Sequence, residues 1–73
     1  EKVVKQIFKL PNVASGAKVT KKHASAIKSA RKAYNALKTE AAIAYVESIS
    51  QETYGQDALA YLKACEDVLA ALG

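Results

Sequence analysis

The chain contains few of the residues on which several common folds and sites depend. Its 73 residues include one cysteine, one histidine, one proline and three glycines. A single cysteine excludes an internal disulfide and a zinc site built from several cysteines. There is no glycine-rich phosphate-binding loop, and we expect no cofactor. No apolar run approaches the roughly 18 residues of a membrane-spanning helix, so we expect no transmembrane segment.

The composition instead favours a small helical domain. Hydrophobic residues make up 51% of the chain, which argues against disorder. Fifteen of them are alanines, which favour helix strongly but bury little area. Since runs of β-branched residues are few, we expect helices rather than strands. The length predicts one domain over residues 1–73, with a core that supplies only about 3–5 kcal/mol of net stability.

The spacing of apolar residues predicts an all-α fold, a three-helix bundle with a short extra helix between helices two and three. Helix one is predicted at about residues 2–9, where Pro11 ends it, and a connector with a hinge at Gly16 follows. Helix two is predicted over 21–37 and helix three over 56–72. The short helix is predicted from Thr39 to Val46, because Ser48-Ile49-Ser50 interrupts the pattern.

Helix two has the most readable sequence. Thr20 suits its N-cap, because the hydroxyl can accept from a free backbone N–H. At 100° per residue, one arc collects the predicted inward side chains: His23, Ala26, Ile27, Ala30, Ala33, Tyr34 and Leu37. The opposite arc is polar and basic. On the whole chain, the side chains expected at the centre of the core are Tyr34, Leu37, Leu62 and Leu69.

Charge is divided unevenly along the chain. Residues 1–38 carry ten lysines and arginines against Glu1 alone, a balance of +9. Residues 39–73 carry Lys63 against six acidic residues, a balance of −5, which gives the net charge of +4. One interpretation is that the acidic half lies beside the basic half and complements it. The other is a basic surface that meets an anionic partner.

The best candidate for a functional surface is the basic stripe of helix two. As a solvated helix face it needs no further explanation. As a binding face it would contact a polyanion, and reading nucleic-acid bases would require nearby arginine, asparagine or aromatic side chains, of which Arg31 and Asn35 are close in sequence. The candidate polyanion-binding residues are Lys18, Lys21, Lys22, Lys28, Arg31 and Lys32.

The remaining reactive residues do not form a catalytic or metal-binding pattern. His23 is expected to be half-buried and Cys65 to be a buried thiol that acts as a small hydrophobe. A nucleophilic Cys–His pair would also need an orienting group and an oxyanion site. Glu66 and Asp67 are adjacent and point in different directions on a helix, and with Asp57 they lack the spacing of a calcium loop. The sequence therefore predicts a protein that is not an enzyme and binds no metal.

The order of features resembles the small three-helix modules of Gram-positive bacterial cell-surface proteins, which sit beside S-layer, adhesion and carbohydrate-active domains. The residues that carry the resemblance are Ile7, Leu10-Pro11, Val19-Thr20, the run from Ala30 to Leu37, Val46, and Leu69-Ala70-Ala71-Leu72. The chain differs from those modules in being basic, in reading Glu40-Ala41-Ala42-Ile43-Ala44-Tyr45 before Val46, and in carrying a cysteine. The resemblance implies a spacer, adhesion or assembly module and assigns no binding residue.

These observations favour a non-enzymatic structural or interaction module of a secreted or surface-anchored bacterial protein. Its partner would be a protein or an anionic cell-wall polymer or glycan, and its location extracellular; a cytoplasmic location is the alternative. One alternative function is a small basic helical protein that binds nucleic acid through the lysines of helix two. A second alternative is a secreted cationic bacteriocin-like peptide, although the acidic second half would oppose binding to anionic lipid.

Overall fold

The computed structural model describes residues 2–72, and this part of the chain forms four α-helices without a strand. They are α1 (Lys2–Phe8), α2 (Ala24–Asn35), α3 (Glu40–Tyr54) and α4 (Ala58–Leu72). Two short 3₁₀ turns, Val13–Ser15 and Lys21–His23, lie between α1 and α2. The all-α prediction is confirmed. The prediction of three helices with a short extra helix before the last one is correct only in part. The helix before α4 is α3, which has 15 residues and is not short, and the shortest of the four is α1, with 7 residues.

Helix α4 lies at the centre of the packing, in contact with α1, α2, α3 and the turn Val13–Ser15. Its side chains Ala58, Leu62 and Cys65 have no exposed surface. Val4 and Ile7 from α1, Ile27 and Ala30 from α2, and Val46 from α3 belong to this core. The core therefore draws on all four helices, and α4 is the element on which the others assemble.

Helix α3 is twice the predicted length because its two serines are accommodated. Thr39 caps it as predicted, with Oγ1 accepting from the Ala42 N–H at 3.1 Å. Ser50 is fully buried, and its hydroxyl donates to the Gln56 carbonyl beyond the helix end. The helix ends at Gly55, whose left-handed φ of 67° lets its N–H bond the Gln51 carbonyl at 2.9 Å. The predicted break at Ser48-Ile49-Ser50 is wrong, since a buried serine with a partner costs a helix little.

The segment between α1 and α2, which the sequence predicts as a connector, packs into the core and is hydrogen-bonded to α4. Leu10 and Val19 are buried, and Gly16 closes the Val13–Ser15 turn with a φ of 91°. The Tyr61 hydroxyl donates to the Leu10 carbonyl at 2.5 Å, and the Cys65 thiol donates to the Pro11 carbonyl at 3.3 Å. This segment is thus fastened to α4 by side chains that bind its backbone.

Several side chains differ from the predicted burial. Tyr34 and Leu62 are buried as expected, whereas Leu37 and Leu69 are only half-buried and Ala26 is exposed. Leu37 lies beyond the end of α2 at Asn35, where the helical arc no longer applies. Leu69 is half-buried because a groove remains between α2 and α4 at its position. Gly73, which the sequence suggests as a helix C-cap, lies outside the described residues.

Candidate functional site

The predicted basic residues lie on and before α2. Lys18 is in the segment before the helix, Lys21 and Lys22 are in the turn that leads into it, and Lys28 and Lys32 are one turn apart on it. All five lysines are exposed. Their ammonium groups are therefore in contact with water and available to an anionic partner.

Arg31 differs from the lysines because it is bound to α4. Its Nε donates to Glu66 Oε2 at 2.8 Å and its Nη2 to Glu66 Oε1 at 2.6 Å, a bidentate pair in which both side chains are about 30% exposed. The hydrogen bonds with Arg31 lower the pKa of the Glu66 carboxyl, and those with Glu66 raise the pKa of Arg31. Arg31 Nη1 also lies 3.5 Å from Asn35 Oδ1. Arg31 therefore links α2 to α4.

A groove lies directly beside these residues, between α2 and α4, and the sequence did not predict it. Its volume is about 490 Å³, and its lining is mainly apolar. It is lined by the apolar side chains of Ile27, Leu69 and Ala70, by the Arg31–Glu66 pair, and by Lys28, Lys32 and Asn35. The sequence signal for it is Ala70, a small residue where a larger one would fill the space between the helices.

Glu47 is the second feature that sequence reasoning missed. Its Oε1 accepts from the Ala58 N–H at 2.8 Å, and its Oε2 accepts from the Leu59 N–H at 3.2 Å and from the Tyr34 hydroxyl at 2.9 Å. One carboxylate from α3 therefore satisfies the first turn of α4 and a tyrosine of α2. The spacing of Ile43, Val46, Glu47 and Ser50 could have indicated it, because it places an acid on the apolar face of a helix.

The environment of Tyr34 follows from this contact. Burial and the hydrogen bond to Glu47 raise the pKa of the Tyr34 phenol to about 12. The hydroxyl keeps its proton over the whole ordinary pH range and acts as a donor. The Tyr34 hydroxyl therefore acts as a structural link, because the Glu47 carboxylate that accepts from it also accepts from the Ala58 and Leu59 N–H groups.

His23 and Cys65 occupy separate structural positions. His23 is half-buried, and its Nδ1 accepts from the Thr20 N–H at 3.0 Å, which satisfies a backbone donor at the start of the turn. Cys65 is fully buried, and burial raises the pKa of its thiol. Both match their predicted burial. The hydrogen bonds of His23 and Cys65 go to the backbone of Thr20 and Pro11, respectively, and not to each other.

Within residues 2–72, no three potential metal-ligating side chains cluster. None of the helices between those residues is long and apolar enough to cross a membrane.

Comparison of the chain with protein-family models, with curated proteins and with solved structures finds no significant match.

Proposed function

We propose that the chain is a non-enzymatic interaction module of a secreted or surface-anchored bacterial protein, and that its lysines on and before α2 bind an anionic partner. The observation that supports the proposal is that the lysines at this face keep their positive charge unpaired in the described residues. Among the described residues, the one ion pair between the basic and acidic halves is Arg31–Glu66. Lys18, Lys21, Lys22, Lys28 and Lys32 are exposed and are left with their charge.

The contacts of the polar residues support a structural rather than a catalytic role. Glu47, Tyr34, Ser50, Tyr61 and Cys65 each bind a group on another element of the fold. A general acid or base must instead present its reactive atom to a substrate. Since these side chains use their polar atoms to join helices to one another or to the connecting segments, the fold is suited to presenting a stable surface.

An anionic wall polymer or glycan fits this face better than nucleic acid does. Base recognition needs side chains that reach base edges, and arginine, lysine, asparagine and glutamine are the usual readers. Here Arg31 is engaged by Glu66, and Asn35 Oδ1 lies within reach of Arg31 Nη1. The lysines supply positive charge, which is sufficient for a polyanion with regularly spaced phosphates or carboxylates and requires no base contact.

The experiment compares two variants that remove the same charge. The first variant changes the proposed face and is Lys21→Gln/Lys28→Gln/Lys32→Gln. The second, the control, changes three exposed lysines on and just after α1 and is Lys2→Gln/Lys5→Gln/Lys9→Gln. Binding to a teichoic-acid-type polymer, to DNA and to RNA is measured by titration at several salt concentrations, and the helical circular dichroism signal checks the fold. We expect wall-polymer affinity to fall steeply with salt, because bound lysines release counterions.

The outcomes separate the hypotheses. Loss of polymer binding and a smaller salt slope in the first variant alone support the proposal. Equal losses in both variants would show that net charge, not this face, attracts the polymer. Preference for DNA or RNA at equal ionic strength would favour the nucleic-acid function instead. Absence of binding to all three polymers near physiological salt would make the module a spacer or the ligand of a protein surface.

A further inference from the structure

The groove between α2 and α4 has two walls of different chemistry, a cationic wall on α2 and an apolar wall on α4. We propose that it binds a small anionic amphiphile, a single-chain carboxylate of the fatty-acid type, with the carboxylate on the α2 wall and the hydrocarbon chain on the α4 wall. Such a small-molecule ligand is additional to the anionic polymer of the proposed function, which does not require a cavity.

The α2 wall supplies the positive charge. Lys28 and Lys32 line the groove one turn apart on α2, and both are exposed. Among residues 2–72, neither of these lysines forms an ion pair. Since Arg31 and Glu66 neutralise one another, the two lysines give the groove its net positive charge. The ligand that this wall favours is therefore an anion.

Arg31 adds hydrogen-bond donors that are already held in position. A guanidinium carries five N–H groups, and two of those of Arg31 donate to Glu66, through Nε at 2.8 Å and Nη2 at 2.6 Å. Its Nη1 lies 3.5 Å from Asn35 Oδ1, which is a long hydrogen bond. One N–H on each of Nη1 and Nη2 thus remains without an acceptor among the described residues. Because Glu66 fixes the guanidinium, these donors can bind a carboxylate at a low cost in side-chain ordering.

The α4 wall is apolar and open. Leu69 is half-buried and Ala70 is exposed, and both line the groove. Ile27 on the opposite helix is only 2% exposed, so it adds little surface that a ligand could cover. The apolar surface that a ligand can remove from water is therefore that of Leu69 and Ala70, together with the methylene chains of Lys28 and Lys32.

The dimensions of the groove suit a single hydrocarbon chain. Its volume of about 490 Å³ lies within the range of about 300–1,000 Å³ that is usual for small-molecule sites. The α2 residues that line it extend from Ile27 to Asn35, which is about 12 Å along the helix axis. An extended chain advances by roughly 1.2 Å per bond, so about ten carbons span this length. The expected ligand is thus a free monomer, not a bilayer.

An anionic amphiphile satisfies both walls, whereas other classes of ligand satisfy one. A polymer of phosphates would pair with Lys28 and Lys32 but would place polar groups against Leu69 and Ala70. A neutral apolar compound would cover these two side chains but would offer no acceptor to the lysines or to Arg31. Binding sites of this kind use a few polar groups to orient a ligand that is otherwise held by apolar contact.

The probe for this site is decanoate, titrated at neutral pH into the isotope-labelled full chain while amide chemical shifts are followed, up to about 5 mM. Decyltrimethylammonium has the same hydrocarbon chain with the opposite charge. Hexanoate has the same head group with a shorter chain. Vesicles of phosphatidylglycerol present anionic head groups and hydrocarbon as a bilayer, and they distinguish a free amphiphile from a membrane surface.

Two variants alter the two walls separately, and each has a matched control. Ala70→Leu fills the groove from α4, and Ala60→Leu makes the same change at another exposed position of that helix. Lys28→Gln/Lys32→Gln removes the charge that lines the groove. Lys21→Gln/Lys22→Gln removes the same charge from the turn before α2, outside the groove. The helical circular dichroism signal checks that all four fold.

We expect decanoate to bind with a Kd of about 1 mM or tighter and to shift the amides of the α2 and α4 residues that line the groove. Hexanoate should bind at least about tenfold more weakly, because it buries four fewer methylene groups. Decyltrimethylammonium should not compete. Ala70→Leu and Lys28→Gln/Lys32→Gln should each weaken decanoate binding at least about fivefold, while their controls stay within about twofold of the parent chain.

Four results would overturn the inference: no decanoate binding up to about 5 mM, equal affinity for decyltrimethylammonium, equal affinity of the variants and their controls, or binding to vesicles alone. Polymer binding by the same variants separates this site from the proposed function. Lys21→Gln/Lys22→Gln should weaken polymer binding and leave decanoate binding intact, and Ala70→Leu should do the reverse. If decanoate binds and no polymer does, only the polymer proposal fails; if the polymer binds and decanoate does not, only the groove ligand fails.

Discussion

Removal of the Glu47 carboxylate is expected to destabilise the fold more than any other change of a charged residue. In Glu47→Ala the N–H groups of Ala58 and Leu59 and the hydroxyl of Tyr34 lose their acceptor. Ala58 is fully buried and Tyr34 is 8% exposed, so water cannot readily replace the carboxylate. Loss of an N-terminal helix cap costs about 0.5–2 kcal/mol, and an unsatisfied buried donor costs about 1–3 kcal/mol.

Since these costs overlap, we expect Glu47→Ala to lower the free energy of unfolding by about 2–4 kcal/mol. For a chain of this size the corresponding fall in melting temperature is about 10 °C or more. Thermal unfolding followed by circular dichroism measures it. The control is Glu52→Ala, which removes the same charge from an exposed position of the same helix and should change stability by no more than about 0.5 kcal/mol.

Three further measurements locate the effect. Glu47→Gln should be intermediate, because an amide keeps one acceptor oxygen and presents an NH₂ group to donors. Tyr34→Phe should cost about 1 kcal/mol alone and less in the Glu47→Ala background, since the two side chains share one hydrogen bond. Hydrogen exchange of the Ala58 and Leu59 amides should accelerate in Glu47→Ala. A melting temperature equal to that of Glu52→Ala would refute the assignment of Glu47 as the cap of α4.

Alkaline pH acts on the same contact. An unfolded tyrosine loses its proton near its ordinary pKa of 10, whereas the pKa of Tyr34 in the fold is about 12. The unfolded chain therefore binds fewer protons between these values, and stability should fall as the pH rises above 10. Tyr34→Phe should remove this part of the pH dependence, and an unchanged slope in that variant would contradict the stated environment.

Three other predictions test the core, the thiol and the ion pair. Leu62→Ala should cost about 2–5 kcal/mol, enough to unfold much of so small a domain, while Leu72→Ala at an exposed position should shift the melting temperature little; equal shifts would place Leu62 outside the core. Cys65 should react slowly with Ellman's reagent in the native state and quickly in denaturant, and rapid native labelling would show that it is exposed. The lowered pKa of Glu66 stabilises the fold above the ordinary carboxyl pKa of 4.5 and ceases to do so as the pH falls, so Glu66→Gln should lose less stability on acidification than the parent chain does; parallel acid profiles would indicate that the pair contributes nothing.

Local signals in the sequence were sufficient for most of the helices. Thr39 caps α3 because its side chain needs only the backbone three residues later, and the apolar arc of helix three correctly gives α4 with Leu62 and Cys65 inside. The extent of α3 depends on a tertiary contact. Ser50 reads as a break until the Gln56 carbonyl that accepts its proton is known.

The candidate site could be predicted only in part for the same reason. Exposure of the α2 lysines follows from helical spacing, but the separate role of Arg31 depends on Glu66, thirty-five residues later. The groove depends on where α4 crosses α2, which apolar spacing does not determine. Leu69 was therefore expected at the centre of the core, although it lines an opening.

The attachment of the first loop to the last helix has a consequence for biosynthesis. The Leu10 and Pro11 carbonyls bind side chains that lie 51 and 54 positions later in the chain. During synthesis these two carbonyls therefore lack their partners until Tyr61 and Cys65 of α4 have been made, although α1 can already contact α2 and α3. Attachment of the Leu10-Pro11 segment is thus a late step, which follows the synthesis of α4.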